Sequence, residues 1–142
     1  MVARIPIAVA ALVRDGQVLL VHRHPSRKWY PDCWDLVGGH LEPGESPEEA
    51  ARRECREEID VEVLELHPVE VDLDDPEIEA HAFLVTRWRG EPRNAATDEH
   101  DALGWFGVQQ LAGVRLADPS YLPWLTRLLD EHAQPGADSD TI

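Results

Sequence analysis

Between Gly39 and Val61 the chain reads GHLEPGESPEEAARRECREEIDV, with seven glutamates, three arginines and almost no large apolar side chain. Ser46 is a favoured helix N-cap, Pro47 suits the first helical position, and Glu49 stands three residues after the cap. Serine and glutamate can then satisfy each other's backbone N–H groups as a capping box. The spacing predicts a helix over 47–59. On it Glu54, Glu57 and Glu58 stand at offsets of zero, three and four and share one face. Such like-charge neighbours repel by only about 0.2–0.5 kcal/mol per pair in water. The arrangement nevertheless gains nothing unless a cation lies among them. Mg2+ and Mn2+ favour carboxylate oxygens, and Mg2+ commonly bridges protein carboxylates to substrate phosphates, so the pattern points toward phosphoryl or pyrophosphoryl chemistry. The competing reading is a solvated helix knitted by the i,i+4 pairs Glu48–Arg52 and Glu49–Arg53.

The flanking sequence sets the fold class. Ile5, Ile7, Val9, Ala11 and Val13 alternate, Asp15-Gly16 interrupts, and QVLLVHR follows, which predicts strand, tight turn, strand. HPSRKWYPDC (24–33) reads as a loop before a short strand over 34–37 that Gly38-Gly39 ends. After the helix, 61–72 and 78–89 read as a hairpin joined by Asp74-Asp75-Pro76. Residues 90–100 form a polar loop, 103–106 a short strand and 108–111 a helical turn. Leu122, Leu125, Leu128 and Leu129 mark a helix over 120–132. Strands interleaved with two helices predict an α/β (α+β) class, an α/β/α sandwich on a mixed sheet. At 142 residues the chain suits one domain over 1–133, with 134–142 an unstructured tail.

Net charge −15 with a single lysine, Lys28, excludes a nucleic-acid polymer as partner, because phosphate-backbone binding needs clustered Lys and Arg. It leaves room for a small phosphorylated ligand held through a metal ion. The N-terminal stretch is interrupted by Arg4, Pro6 and Arg14, and no run of eighteen apolar residues occurs, so neither a membrane span nor a secretory signal is expected. A cytoplasmic location follows by default. Cys33 and Cys55 match no paired metal-ligand spacing and are expected to be reduced.

The stretch from Gly39 resembles the Nudix box, G-x5-E-x7-R-E-U-x-E-E-x-G-U with U aliphatic, through Gly39, Glu45, Arg53, Glu54, Glu57, Glu58 and Val61. Seven of nine specified positions match; the glycine, arginine and glutamates alone would coincide by chance less than about once in a million starting positions. That rarity outweighs the solvated-helix reading. Cys55 replaces an aliphatic residue, and Asp60 stands where the family has a glycine in left-handed conformation, which aspartate tolerates at some cost. The element order from Ile5 to about His132 is similar to the MutT-type arrangement.

The resemblance implies a metal-dependent pyrophosphohydrolase using Mg2+, or Mn2+ in its place. By position it implies that the Gly39 carbonyl, Glu54, Glu57 and Glu58 hold metal, that Arg53 orients the glutamates and that Glu45 supports loop and helix. Glu99 resembles the loop glutamate that serves as further ligand or base, with the adjacent Asp98 a rival for that place and Glu57 or Glu58 the competing base. Arg23 matches an arginine directed at substrate phosphates. Trp29, Tyr30 and Trp34 could stack a base, or pack against the core. Trp34, Asp35 and Tyr121 complete the substrate-binding candidates. His22, His24, His40 and His100 flank the site and are given no catalytic role. Guanine-directed relatives carry an asparagine where this chain reads Pro119-Ser120-Tyr121, which argues against oxidised guanine. The expected substrate is a nucleoside triphosphate, giving NMP and pyrophosphate. ADP-ribose or a nucleotide sugar is the alternative within the enzyme class, and a non-catalytic nucleotide sensor the alternative outside it.

Overall fold

The computed structural model describes residues 4–132; the expected tail at 134–142 lies outside them. Strand β1 (Ile5–Arg14) is the spine of a seven-stranded mixed sheet. Residues 5–12 run parallel to 78–85 of β6 (Ile78–Arg89), while 7–10 pair antiparallel with β4 (Val37–His40) on the other edge. Strand β5 (Glu62–Val69) is antiparallel to β6. Beyond Val13, β1 turns at Asp15-Gly16 into β2 (Gln17–Arg23), with φ positive at both turn residues as a two-residue hairpin requires. Strand β2 then carries β3 (Trp34–Asp35) and β7 (His100–Phe106).

Period-two alternation sends two cores to opposite faces of this sheet. Ala10, Leu12, Leu19, Val21, Val37 and Val85 meet Cys55 and Ile59 of α1 (Pro47–Ile59). Val9, Ala11, Val18, Leu20, Ala82 and Leu84 meet Tyr121, Trp124, Leu125, Leu128 and Leu129 of α3 (Tyr121–Glu131). The short α2 (Val108–Leu111) adds Leu111 to that second core. The result is the expected α/β/α sandwich. Among the described residues no helix is long and apolar enough to cross a membrane.

Three boundaries differ from the sequence-based expectation. Gly38-Gly39 does not end a strand: 34–35 pair with β2, the chain steps across at Leu36, and 37–40 continue as a second strand against β1. Glycine is needed at 38, where φ is +155° and a Cβ would lie 2.1 Å from the Ala8 carbonyl oxygen. Strand β5 stops at Val69, and residues 70–77 form a longer connection in which the Asp75 side chain accepts from the Glu77 N–H. Strand β7 begins at His100 rather than Leu103, because pairing with β2 extends to Arg23 across a bulge.

Candidate active site

Helix α1 begins as its sequence dictates. The Glu49 N–H donates to Ser46 Oγ at 3.1 Å, and the Ser46 N–H donates to Glu49 Oε1 at 2.8 Å. It ends at Asp60 in left-handed conformation, φ 57° and ψ 45°, braced by Arg93 Nε at 2.9 Å from Asp60 Oδ2. The terminal carbonyls of a helix lack partners inside it. Here the Arg93 N–H donates to the Ile59 oxygen and the Ala95 N–H to the Glu58 oxygen. These two bonds fold the 90–99 loop back along the last turn of α1. They bring Glu99 and His100 beside the helix glutamates.

Arg53 is the hub of the acidic face. Its Nε donates to Glu45 Oε2 at 2.7 Å, one terminal nitrogen reaches Glu45 Oε1 and the His40 carbonyl, and the other lies 3.0 Å from Glu57 and 3.3 Å from Glu54. The Glu45 bonds hold the Arg53 guanidinium firmly charged, and that cation draws the Glu45 carboxyl below its ordinary range. Glu45 also accepts from the Glu42 N–H, so this pair ties the 41–46 loop to the helix. A lysine could not make these bonds at once.

Glu54 lies between Arg53 and Gly39, and Glu58 points into the sheet. The Gly38 N–H donates to Glu58 Oε2 at 3.1 Å, and the Glu54 carboxylate occupies the space where a Cβ on Gly39 would come within 2.3 Å of its oxygen. Glu58 is 5% exposed; its burial, and after that the neighbouring Glu54 carboxyl, push its pKa well above the carboxylate range. Glu99 is raised chiefly by burial, with Arg27 opposing and Glu54, Asp98 and Glu57 adding to the rise.

The structure also brings His100 into this group. It is 2% exposed, its Nε2 lies 3.5 Å from Glu58 Oε1, and neither ring nitrogen has a hydrogen-bond partner among the described residues. Burial lowers its pKa to about 4, so the imidazole is neutral at pH 7. A buried imidazole without partners is costly. The sequence places His100 near the site, but its contact with Glu58 depends on the 90–99 loop closing and leaves no local signal.

Among the described residues no three His, Cys, Asp or Glu side chains form a ready metal cage. Arg53 takes up Glu45 and Glu57 and also touches Glu54, while Glu58 accepts from the Gly38 N–H. The donor set nonetheless fits a hard divalent ion: carboxylate oxygens gathered on one helix face, among them the buried Glu58, whose ionised form a nearby divalent cation would favour.

Arg23, Asp35 and Tyr121 meet in a second polar group. Arg23 donates to the Trp29 and Tyr30 carbonyls, each at 2.8 Å, and lies 3.4 Å from Asp35 Oδ2. Asp35 accepts from the Leu36 N–H and lies beside Tyr121; burial raises both groups' pKa values. Trp34 makes edge contacts with His22 at 4.9 Å and Phe106 at 4.7 Å between centroids. The Arg23 guanidinium thus clasps the 24–33 loop. That loop reaches the acids through the His24 N–H, 3.0 Å from the Glu99 carbonyl oxygen, and through Arg27.

This geometry defines a carboxylate-lined hydrolase site on a three-layer sandwich. The NUDIX domain model matches residues 4–127. The chain is 32% identical over 139 residues to the CTP pyrophosphohydrolase of Escherichia coli, covering 94% of this chain and 98% of that protein. It is 32% identical over 91 residues to the 8-oxo-dGTP diphosphatase of Proteus vulgaris, 62% of this chain and 81% of the relative. The crystal structure of a MutT NUDIX hydrolase from Burkholderia pseudomallei superposes with a TM-score of 0.65 at 34% identity, covering 75% of this chain and 85% of that one. The chain therefore belongs to the Nudix family, as a MutT-type hydrolase of phosphoanhydride bonds.

Proposed function

We propose that this chain is a Mg2+-dependent pyrophosphohydrolase, with Mn2+ able to substitute, that cleaves a nucleoside triphosphate to NMP and pyrophosphate. The observation that carries this is the placing of Glu54 and the buried Glu58 against Gly38-Gly39, with Glu57 and Glu99 alongside. Glu54, Glu57 and Glu58, the Gly39 carbonyl and Glu99 would hold the ion. When bound, it would lower the pKa of water and offset the charge of the phosphate oxygens. Arg53 keeps the helix carboxylates spaced and oriented through Glu45 and Glu57. Glu57 and Glu99 have side chains 57% and 49% exposed, so either can take a proton from attacking water, whereas Glu58 is enclosed. The extensive likeness to a CTP pyrophosphohydrolase supports the triphosphate class. The free, buried Cys33 and Cys55 suit a reducing cytoplasm.

A nucleotide panel with Mg2+ tests this through its products. NMP with pyrophosphate supports it, AMP with ribose 5-phosphate from ADP-ribose favours the nucleotide-sugar alternative, and tight binding without any cleavage indicates a sensor.

A further inference from the structure

We propose that Trp29 and Tyr30, at the tip of the 24–33 loop, are the stacking platform for the substrate's base, with Arg27 and Lys28 beside them for its phosphates. The inference rests on the nucleotide-hydrolase reading above and assigns the residues that receive the nucleoside end.

Among the described residues only these two aromatic side chains are exposed, at 68% and 58%, and they are consecutive. Their position is built rather than slack. Arg23 holds the Trp29 and Tyr30 carbonyls from beneath, and the Cys33 thiol donates to the Tyr30 carbonyl at 3.1 Å. Tyr30 and Asp32 adopt left-handed backbone, φ 51° and 56°, a conformation that costs energy outside glycine and persists where surrounding bonds enforce it. The loop thus turns its large apolar faces toward solvent while its backbone polar groups are satisfied inside. Trp34 cannot serve in the same way, because its ring is half-buried between His22 and Phe106.

Placement and charge select the occupant. Arg27 donates to the Glu99 carbonyl at 3.3 Å and lies 3.7 Å from its carboxylate. Trp29 follows two residues later, at most about 7 Å of extended chain. Residues 23–28 carry three of the chain's thirteen Lys and Arg, including its one lysine, in a protein of net charge −15. Lys28 Nζ sits 5.5 Å over the Trp29 ring. Aromatic faces next to cations, tied to an acid of the hydrolytic site, match a base joined to phosphates. Stacking accepts any base, so the platform provides affinity without a strict base preference.

The test compares wild type, Trp29→Ala, Tyr30→Ala and Trp29→Phe with Mg2+ present. It measures turnover of CTP and ATP, and calorimetric binding of α,β-methylene-CTP and of inorganic pyrophosphate, which has no base. The expected result is a KM rise and a loss of analogue affinity of about tenfold in each alanine variant, in line with one lost stack. Trp29→Phe restores most of it, and pyrophosphate binds as in wild type. Equal weakening of analogue and pyrophosphate, or no change in either, overturns the platform. So does a dimer in wild type that Trp29→Ala dissociates, which would make the tip a contact between copies. Wild-type protein that neither binds nor cleaves any triphosphate overturns the functional reading itself, and the platform with it; that result needs no variant and is therefore distinguishable.

Discussion

The two long helices cover the same sheet from opposite sides and bury different things. On α3 the buried side chains are Tyr121, Trp124, Leu125, Leu128 and Leu129. On α1 they are Ala50, Ala51, Cys55 and Ile59, together with one carboxyl, Glu58. The small α1 residues let that helix lie close to β1 and β4, near enough for Glu54 and Glu58 to reach Gly38 and Gly39. Desolvating a carboxyl costs free energy that small side chains recover poorly. The large α3 residues contribute the apolar burial that allows the opposite face to carry such a group.

This contrast breaks down if α3 variants damage chemistry or α1 acid variants damage folding. The largest expected effect is on α3: Leu125→Ala, at a side chain that is 0% exposed, should cost about 2–5 kcal/mol in urea unfolding. The remaining folded protein should keep its kcat. On α1, Glu54→Gln, Glu57→Gln and Glu58→Gln should each lower kcat/KM at least about tenfold with Mg2+, roughly 1.4 kcal/mol or more of barrier. Unchanged turnover in all three would refute the site assignment.

Glu58 and the His100 beside it should also leave opposite pH signatures in metal-free protein. Unfolded, Glu58 releases its proton near 4.5, whereas folded it holds the proton to higher pH. The folded state then binds more protons above 4.5, so stability falls as pH rises through the folded value. Glu58→Gln should remove that alkaline loss in thermal melts. His100 titrates near 6.5 unfolded and about 4 folded. There the unfolded state binds more protons, so stability falls as pH drops from about 6.5 to 4, and His100→Gln should flatten that limb. The smallest effect is Ser46→Ala, about 1 kcal/mol of stability from the lost cap with the acids in place.

What the sequence disclosed follows the range of the forces involved. The Asp15-Gly16 turn, the Ser46–Glu49 capping box and the leucine stripe of α3 are local, and the structure shows each where residue spacing placed it; the left-handed Asp60 was implied by the family resemblance. The parallel pairing of β1 with β6 joins residues more than seventy positions apart, and no local pattern encodes it. Gly38-Gly39 reads as a terminator from composition but is a strand segment, because the requirement for glycine comes from Ala8 on the neighbouring strand and Glu54 on α1. The three helix glutamates were visible as one face. That Glu57 pairs with Arg53 at the surface, that Glu54 lies between Arg53 and Gly39, and that Glu58 turns inward depends on Gly39, Glu45 and the 90–99 loop, which only the tertiary fold assembles. Exposure separated Trp29 and Tyr30 from Trp34, three aromatics that composition treats alike.

The most direct test is calorimetric titration of Mg2+ and Mn2+ into metal-free wild type and a Glu54→Gln/Glu58→Gln double variant, at pH 7 and 8.5, in buffers of different ionisation enthalpy. Binding should be saturable in wild type, tighter at pH 8.5, and accompanied by proton release from Glu58 at pH 7; the double variant should lose at least about tenfold in affinity. Equal affinity in both proteins, with no proton released, would show that these two acids do not hold the ion.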